Sequence, residues 1–259
     1  MTQIPHSPDQ SSPAAVPPAF AVGHGKSTHP GMLRPANEDS VAVTPHVFVV
    51  ADGLGGHNAG EVASALAVST ITDGAAGGVG SPETLGALVQ QANGTIHGTA
   101  AANPSQRGMA TTVVALAPLP GSPRRVAVAN VGDSRCSLYR SGDFIRISKD
   151  HSRVQDLIDE GRIDPDKGWQ HPDSNILTRA LGIEPMVQVD VFVVEVQPRD
   201  RFLLCTDGLI DEVSEEDTAE ILWRHTDPQE CAEALVARAN ANGGSDNITV
   251  VVVDIPAGA

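Results

Sequence analysis

The chain contains, at residues 49–64, the sequence VVADGLGGHNAGEVAS. An apolar run ends at Asp52, three glycines follow it, and an alanine-rich pattern with helical spacing comes next. This order predicts a β-strand, a tight loop and the start of an α-helix, with Asp52 at the tip of the strand. Because glycine costs conformational entropy, its repeated use indicates a backbone that bends sharply or closely approaches another group. A carboxylate in such a loop indicates a bound cation, or a phosphate bound through one.

The composition restricts the classes of protein to which the chain can belong. With 259 residues, of which 41% are hydrophobic, it can bury the core of one domain. A formal net charge of −15 argues against nucleic acid or an anionic membrane surface as the main partner. The three cysteines are odd in number and lack metal-ligand spacing, which is typical of a reducing compartment. No apolar run approaches the ~18 residues of a membrane span, and no signal-peptide pattern opens the sequence, so we expect a cytoplasmic protein.

Around that stretch, the sequence predicts an N-terminal tail and one domain, together with a segment of the domain that leaves its sheets. Residues 1–18 are rich in Pro, Ser and Gln, which predicts a disordered tail because such a segment buries too little apolar surface to fold. Residues 19–255 form the single predicted domain. Within it, the segment 150–182 contains a short helical pattern and several glycine and proline breaks, and we expect it to be a mobile excursion.

The order of predicted elements indicates the fold class. Helical patterns cover 59–72 and about 82–103, the second capped by Ser81, and two more begin after Ser214 and Asp227. Many strands in hairpin order, with the helices in two separate pairs, predict an antiparallel α+β layered domain rather than a parallel βαβ fold. The predicted strands cover 40–50 (a hairpin broken at 44–45), 110–116, 125–130, 134–139, 144–147, 187–196, 201–206 and 248–254.

Several carboxylates lie at predicted strand ends, next to glycine or in polar turns. An all-oxygen ligand set suits a hard cation such as Mg²⁺ or Mn²⁺. Two such ions about 4 Å apart can share a carboxylate and hold a hydroxide for in-line attack on phosphorus. A single Asp-Gly pair is usually only a turn, but four carboxylates in such positions favour a metal site. These residues are Asp39, Asp52, Asp207 and Asp246, with Asp133 as a fifth candidate.

Eight ordered motifs resemble the metal-dependent protein serine/threonine phosphatases, the protein phosphatase 2C-like family, and most of all its bacterial branch. They extend over almost the whole chain, from about residue 20 to 254. The motifs are RPANEDS (34–40), VADGLGGH (50–57), MATT (109–112), VGDSR (131–135), KDHS (149–152), LTRALG (177–182), CTDGL (205–209) and GSDN (244–247).

The resemblance implies a fold and a metal centre. The fold is a four-layer αββα sandwich, in which two central antiparallel β-sheets are flanked by antiparallel helix pairs and the metals lie at one end. By motif position, Asp52 bridges two Mn²⁺ or Mg²⁺ ions and the Gly53 carbonyl binds one of them. Asp207 and Asp246 complete the shell of one ion.

Further site residues follow from the same motifs. Asp39 and Glu38 act mainly through bound waters, and Arg34 matches the phosphate-binding arginine of the family. Asp133, together with Asp207 and Asp211, matches a weaker third metal site. The segment 150–182 matches the flap thought to contact protein substrates.

One position departs from the pattern of animal members, which carry histidine directly after the Asp-Gly pair. Here that position is Leu54, as an apolar residue commonly is in bacterial members. The general acid for the leaving group therefore stays open between a water on a third metal and His57.

The function implied is hydrolysis of phosphoserine or phosphothreonine in proteins by a metal-activated water, in one step and without a phosphoenzyme. Phosphoproteins, including a bacterial serine/threonine kinase, are the expected partners, and we expect a monomer. A catalytically silent, phosphopeptide-binding regulator is the alternative, although a decayed site would usually have lost one of its ligands. A calcium-stabilised domain without activity would need neither Arg34 nor a flap.

Overall fold

The computed structural model describes residues 19–55, 59–164, 167–168 and 171–257. The predicted tail at 1–18 and the candidate His57 lie outside these residues. Strands β1 to β12 are, in chain order, Gly23–His29, Ser40–Val43, Phe48–Ala51, Gly53–Leu54, Ala110–Thr111, Val113–Leu119, Arg125–Val131, Arg135–Arg140, Asp143–Arg146, Asp190–Glu195, Arg201–Cys205 and Ile248–Asp254. Helices α1 to α6 are Ala59–Gly74, Pro82–Ala102, Arg153–Asp159, Asp207–Ile210, Glu215–Arg224 and Pro228–Asn242.

The strands form two five-stranded sheets and one short pair, all antiparallel. One sheet has the order β1-β12-β11-β8-β9 and the other the order β10-β7-β6-β3-β2, while β4 pairs with β5. A buried cluster between the sheets contains Phe48 and Val50 from one and Phe202 and Leu204 from the other, so the sheets pack face to face. The predicted sandwich of two antiparallel sheets is therefore confirmed.

The helices cover the outer faces of both sheets, which explains the continuous apolar runs in the central strands. In β12, Val251 and Val253 face the core between the sheets, whereas Val250 and Val252 pack in a second cluster with α5 and α6. A third cluster joins α1 and α2 to the outer face of the other sheet. A strand that is buried on both faces has no polar side to alternate with its apolar one.

The helix starts follow the predicted caps. The Ser81 side chain accepts a hydrogen bond from the Thr84 N–H, and Asp227 accepts from the N–H groups of Gln229 and Glu230. Each cap satisfies backbone donors that have no partner inside the helix. Helix α1 continues two residues beyond the predicted end at 72.

Two local predictions were incomplete. The predicted strand at 110–116 is divided into β5 and the longer β6, because Thr112 turns away to bond the backbone of Asp52. Residues 207–210, expected to repeat the glycine loop after Asp52, form the short helix α4. No helix in the described part of the chain is both long and apolar enough to cross a bilayer.

Candidate functional site

Four carboxylates meet where one end of each sheet closes the sandwich. Asp39 precedes β2 and Asp52 follows β3, and the pairing of Ser40 with Ala51 places the two acids opposite each other. In the facing sheet, Asp207 follows β11, and Asp246 lies two residues before its neighbour β12. The register of two separate hairpin-like pairs therefore collects residues that are far apart in the sequence.

Hydrogen bonds join the two halves of this cluster. The Thr206 hydroxyl donates to Asp39 Oδ2 over 3.0 Å, which connects β11 with the loop before β2. The carboxyl groups of Asp52 and Asp207 lie close enough for Asp207 to raise the pKa of Asp52. The Asp52 backbone is held by Thr112, whose hydroxyl accepts from its N–H at 3.0 Å. The carboxylates are thus positioned by strand ends rather than by mobile loops.

Burial and mutual repulsion disfavour the charged forms of these acids. Burial raises the pKa of Asp39 to about 6, and the nearby carboxylate of Asp246 acts in the same direction. Burial, followed by the carboxylates of Asp207, Asp39 and Asp133, holds the pKa of Asp52 well above its usual range. Burial also raises the pKa of Asp207, which Asp133, Asp211 and Asp246 raise further. A group of acids this crowded is stabilised by a compensating cation.

The donor set fits a hard divalent cation. Asp39 Oδ1 and Asp207 Oδ1 are buried and have no hydrogen-bond partner in the described part of the chain. Buried carboxylate oxygens without a donor are costly unless an ion satisfies them. As placed, no three His, Cys, Asp or Glu side chains among the described residues already form a metal site. Asp246 Oδ2 is instead paired with Arg34 Nη2, at 2.6 Å.

Glu38 and Gly53 lie at the edge of the cluster, next to the start of α1. A Cβ atom on Gly53 would lie 2.3 Å from the Gly60 carbonyl oxygen and 2.5 Å from that of Glu38, so only glycine fits. Burial raises the pKa of Glu38, with Glu61 and Asp246 adding to the rise and Arg34 opposing it. The close backbone approach predicted for the glycine loop is confirmed at Gly53.

Asp133 and Asp211 lie beside the main cluster. Asp133 follows Gly132, whose φ of +104° suits glycine, in the turn between β7 and β8. Burial raises the pKa of Asp133 to about 6, and the carboxylates of Asp150 and Asp211 add to the rise. Asp211 lies one helical turn after Asp207, and burial raises its pKa too.

Sequence reasoning gave no role to several residues that support the site. Asp150 is buried and forms ion pairs with Arg135, at 2.7 Å, and with Arg146. Asp150 lay inside a quoted motif, but its partners are set by the register of β8 and β9, which no spacing in the sequence reveals.

Asn247 ties together the loops on either side of Asp246. Its side-chain amide donates to the carbonyls of Pro30 and Ala36, both at 2.9 Å, and its oxygen accepts from the Glu38 N–H at 2.7 Å. Asn247 thereby ties the loop that carries Arg34 and Glu38 to the loop before β12.

The segment 150–182 leaves the sheets and returns to the site. His151 N donates to the Gly132 carbonyl, and Thr178 N donates to the His151 carbonyl. The His151 ring is buried, accepts from the Gly132 N–H at 3.1 Å and contacts Asp190 at 3.1 Å, so its role is structural. Leu181 then pairs with Thr111 of β5 through two backbone hydrogen bonds.

Comparison with known proteins gives one consistent family. The family model of protein phosphatase 2C matches residues 36–238. The serine/threonine phosphatase stp of Listeria welshimeri is 39% identical over 244 residues, covering 88% of the chain and 93% of the relative. The serine/threonine protein phosphatase PstP of Mycobacterium tuberculosis is 39% identical over 228 residues, covering 87% of the chain and 43% of the larger relative.

Solved structures agree with the sequence relatives. The crystal structure of the Mycobacterium tuberculosis serine/threonine phosphatase PstP/Ppp has a TM-score of 0.84 and 36% identity, covering 92% of the chain and all of the solved one. The catalytic domain of PstP in complex with two manganese ions has a TM-score of 0.82 and 36% identity, covering 91% and 98%. Stp1 from Staphylococcus aureus has a TM-score of 0.85 and 27% identity, covering 95% and 99%.

Proposed function

We propose, from the premise that the chain belongs to the protein phosphatase 2C family and is a serine/threonine protein phosphatase, that its four-carboxylate cluster is the centre that hydrolyses phosphoserine and phosphothreonine. The single observation that supports this centre most strongly is the crowding of Asp39, Asp52 and Asp207 beside Asp246, with buried Oδ1 atoms of Asp39 and Asp207 that lack partners among the described residues.

The residues assigned to the ions follow from this cluster. Two Mn²⁺ or Mg²⁺ ions would be held by Asp52, the Gly53 carbonyl, Asp207 and Asp246, with Glu38 and Asp39 acting through water. When bound, divalent ions lower the pKa of a water molecule that they hold, and their positive charge stabilises the phosphoryl oxygens. A third ion would bind at Asp133 and Asp211, which lie beside Asp207 in the charge network. The PstP complex with two manganese ions supports the first pair only.

Arg34 is assigned to the phosphate. Its side chain is 55% exposed at the mouth of the cluster, and Asp207 and Asp52 as well as Asp246 favour its charged form. The ion pair of Arg34 with Asp246 is partly exposed to solvent, and such pairs contribute little to stability. A phosphate can therefore take the guanidinium from Asp246 at low cost, which would free an Asp246 oxygen for an ion.

The proposal extends to the substrates, the compartment and the oligomeric state of the enzyme. We assign the substrates to the targets of a bacterial serine/threonine kinase, including the kinase itself, and the enzyme to the cytoplasm as a monomer. All three cysteines are buried and free, which accords with a reducing compartment. The named relatives are bacterial serine/threonine phosphatases, which supports phosphoproteins as substrates.

Phosphate release from a phosphothreonine peptide, with Mn²⁺, Mg²⁺, Ca²⁺ or a chelator, tests the function. We expect turnover with Mn²⁺ or Mg²⁺, and none with the chelator or with Ca²⁺, which is larger and takes more ligands. A folded protein that binds the phosphopeptide but gives no turnover with any ion would instead be a silent regulator. Stabilisation by Ca²⁺ alone, without turnover, would indicate a calcium-stabilised domain.

Replacing Arg34 with alanine is expected to reduce kcat/KM for the phosphopeptide about 10- to 100-fold, mostly through KM, because a charge-assisted pair with phosphate is lost. Arg34→Lys keeps the charge but not the planar fork, so it should recover only part of the loss. Steady-state kinetics with Mn²⁺ measure both. An unchanged KM in Arg34→Ala would remove Arg34 from the phosphate site.

A further inference from the structure

A groove of about 550 Å³ lies beside the carboxylate cluster, and residues 177–180 of the segment 150–182 form part of its lining. Leu54 and Ala110, which are paired across β4 and β5, line one side. Ile183, Met186 and Val187, which follow the segment 150–182, line the other. The lining is therefore mainly apolar, although the groove opens next to a strongly charged centre.

The groove adjoins the carboxylate cluster, because Leu54 and Gly55 of its lining follow Asp52 closely in the chain. Two residues of extended backbone span about 7 Å between Cα atoms, which is the separation from Asp52 to Leu54. Thr111 fixes this spacing, because its hydroxyl donates to the Asp52 carbonyl at 2.6 Å while its backbone pairs with Gly53 and bonds Leu181. Thr111 thus joins the backbone of Asp52 to both sides of the groove.

The far side is rigidly held, although it exposes large apolar side chains. Buried Asn93 of α2 accepts from the Gly182 N–H at 2.8 Å and donates to the Glu184 carbonyl at 3.0 Å. Ile183 is 52% exposed and Met186 is 71% exposed. Apolar side chains presented by an anchored backbone mark an interaction site, because little ordering entropy is lost when a partner binds.

The charges of the groove favour a basic partner. Arg179 lines it, but its guanidinium is paired with Asp190 at 2.9 Å. The Glu184 side chain also lines the groove and has no ion pair within the described residues. Of the two charged residues that line the groove, Glu184 is the one without an ion pair among the described residues, which favours a basic group on the partner.

We propose that this groove binds the segment of the phosphoprotein substrate next to the phosphorylated residue, and that Ile183 and Met186 select a large apolar side chain two residues away from it. In an extended peptide, side chains two residues apart lie on one face and about 7 Å from each other, which matches the spacing from Asp52 to Leu54. Glu184 favours a basic residue in the same segment. This inference rests on the proposed function, since it places the phosphate at the carboxylate cluster.

Matched phosphothreonine peptides test the proposal, with leucine or serine two residues before or after the phosphothreonine. For the wild type with Mn²⁺, we expect leucine on one side to raise kcat/KM about 10-fold over serine. In the double variant Ile183→Ser, Met186→Ser, that preference should fall to within about twofold, while turnover of p-nitrophenyl phosphate should change by less than about twofold. Met186→Leu, which keeps an apolar side chain, should retain the preference.

Ile145→Ser is the matched control. Ile145 is 43% exposed on β9, in the sheet that contains β1 and β12, and does not line the groove. This variant should keep the wild-type preference for leucine. Equal kcat/KM for leucine and serine peptides in the wild type, with normal p-nitrophenyl phosphate turnover, would overturn the groove assignment and leave the proposed function intact. A wild type that turns over neither class of substrate would overturn both. A wild-type dimer that dissociates in the double variant without a change in peptide preference would assign the groove to a second copy of the chain.

Discussion

Replacing Asp207 with asparagine is expected to lower kcat/KM for a phosphothreonine peptide about 1000-fold with Mn²⁺. The same substitution is expected to raise the Tm of the metal-free protein. The loss of activity follows because Asp207 supplies a buried carboxylate oxygen that has no hydrogen-bond donor among the described residues. Removing one charge from a preorganised, buried reaction centre costs the transition state several kcal/mol, of the order of 4 kcal/mol for this change in rate.

The gain in stability has the same physical origin. Burial, together with Asp133, Asp211 and Asp246, raises the pKa of Asp207, so the ionised carboxylate destabilises the folded state at pH 7 when no cation is present. Asparagine has nearly the same shape and no charge. In chelator at pH 7, we expect the Tm of Asp207→Asn to exceed that of the wild type by a few degrees, on the order of 2–4 °C for each kcal/mol.

The matched control is Asp217→Asn, since Asp217 is exposed on α5 and pairs with Arg238 at 2.9 Å. It should leave both activity and Tm close to the wild-type values. Peptide kinetics with Mn²⁺ and calorimetry in chelator measure the two effects separately. An inactive Asp207→Asn that is also less stable than the wild type would mean that Asp207 supports the fold rather than opposing it.

The second large effect is a loss of metal-free stability as the pH rises from 5 to 7.5. The pKa values of Asp39 and Asp133 are raised to about 6, chiefly by burial, whereas both are near 3.8 in the unfolded chain. A raised folded pKa contributes stability that is complete below the unfolded pKa and is lost as the pH passes through the folded one. Over this window each group loses about 1.4 kcal/mol, together roughly 3 kcal/mol or about 5–10 °C in Tm.

A double variant isolates this contribution. In Asp39→Asn, Asp133→Asn, the change in Tm between pH 5 and 7.5 in chelator should be less negative than in the wild type by about 5–10 °C. The comparison is needed because His151, whose pKa is lowered by burial, contributes with the opposite sign. Saturating Mn²⁺ at pH 7.5 should raise the wild-type Tm, because an ion that binds only the folded state stabilises it. If the Tm of the wild type and that of the variant have the same pH dependence, the fold does not raise the pKa values of Asp39 and Asp133.

Much of the fold was predictable because local signals and layer packing agree. The break at 44–45 specifies the hairpin of β2 and β3. The caps at Ser81 and Asp227 and the apolar runs ending in Asp52 and Asp207 each specify one element. Two buried faces explain the uninterrupted valines of β12. Helix α4 was missed because four residues carry no periodic pattern, and its start depends on the strand that leads into it.

The site was less predictable than the fold. Asp39, Asp52, Asp207 and Asp246 were predicted as a group because carboxylates at strand ends follow from local sequence, and the motifs agree with them. The bridging role of Thr206 on Asp39 and the pairing of Asp150 with Arg135 depend on which strands become neighbours. Only tertiary structure contains that information. The groove beside Leu54 has the same origin, since Leu54 and Ile183 on its two sides are about 130 residues apart in the sequence.

The position of β12 between β1 and β11 has a consequence for synthesis of the protein on the ribosome. The first strand of the sheet to be made, β1, pairs within the described part of the chain only with β12, whose last residue is Asp254. Half of the carboxylates, Asp207 and Asp246, also emerge late. A nascent or prematurely ended chain therefore carries Asp39 and Asp52 without the sheet that faces them. Catalytic competence should arise in one late step, so that incomplete chains do not remove phosphate from the cell's proteins.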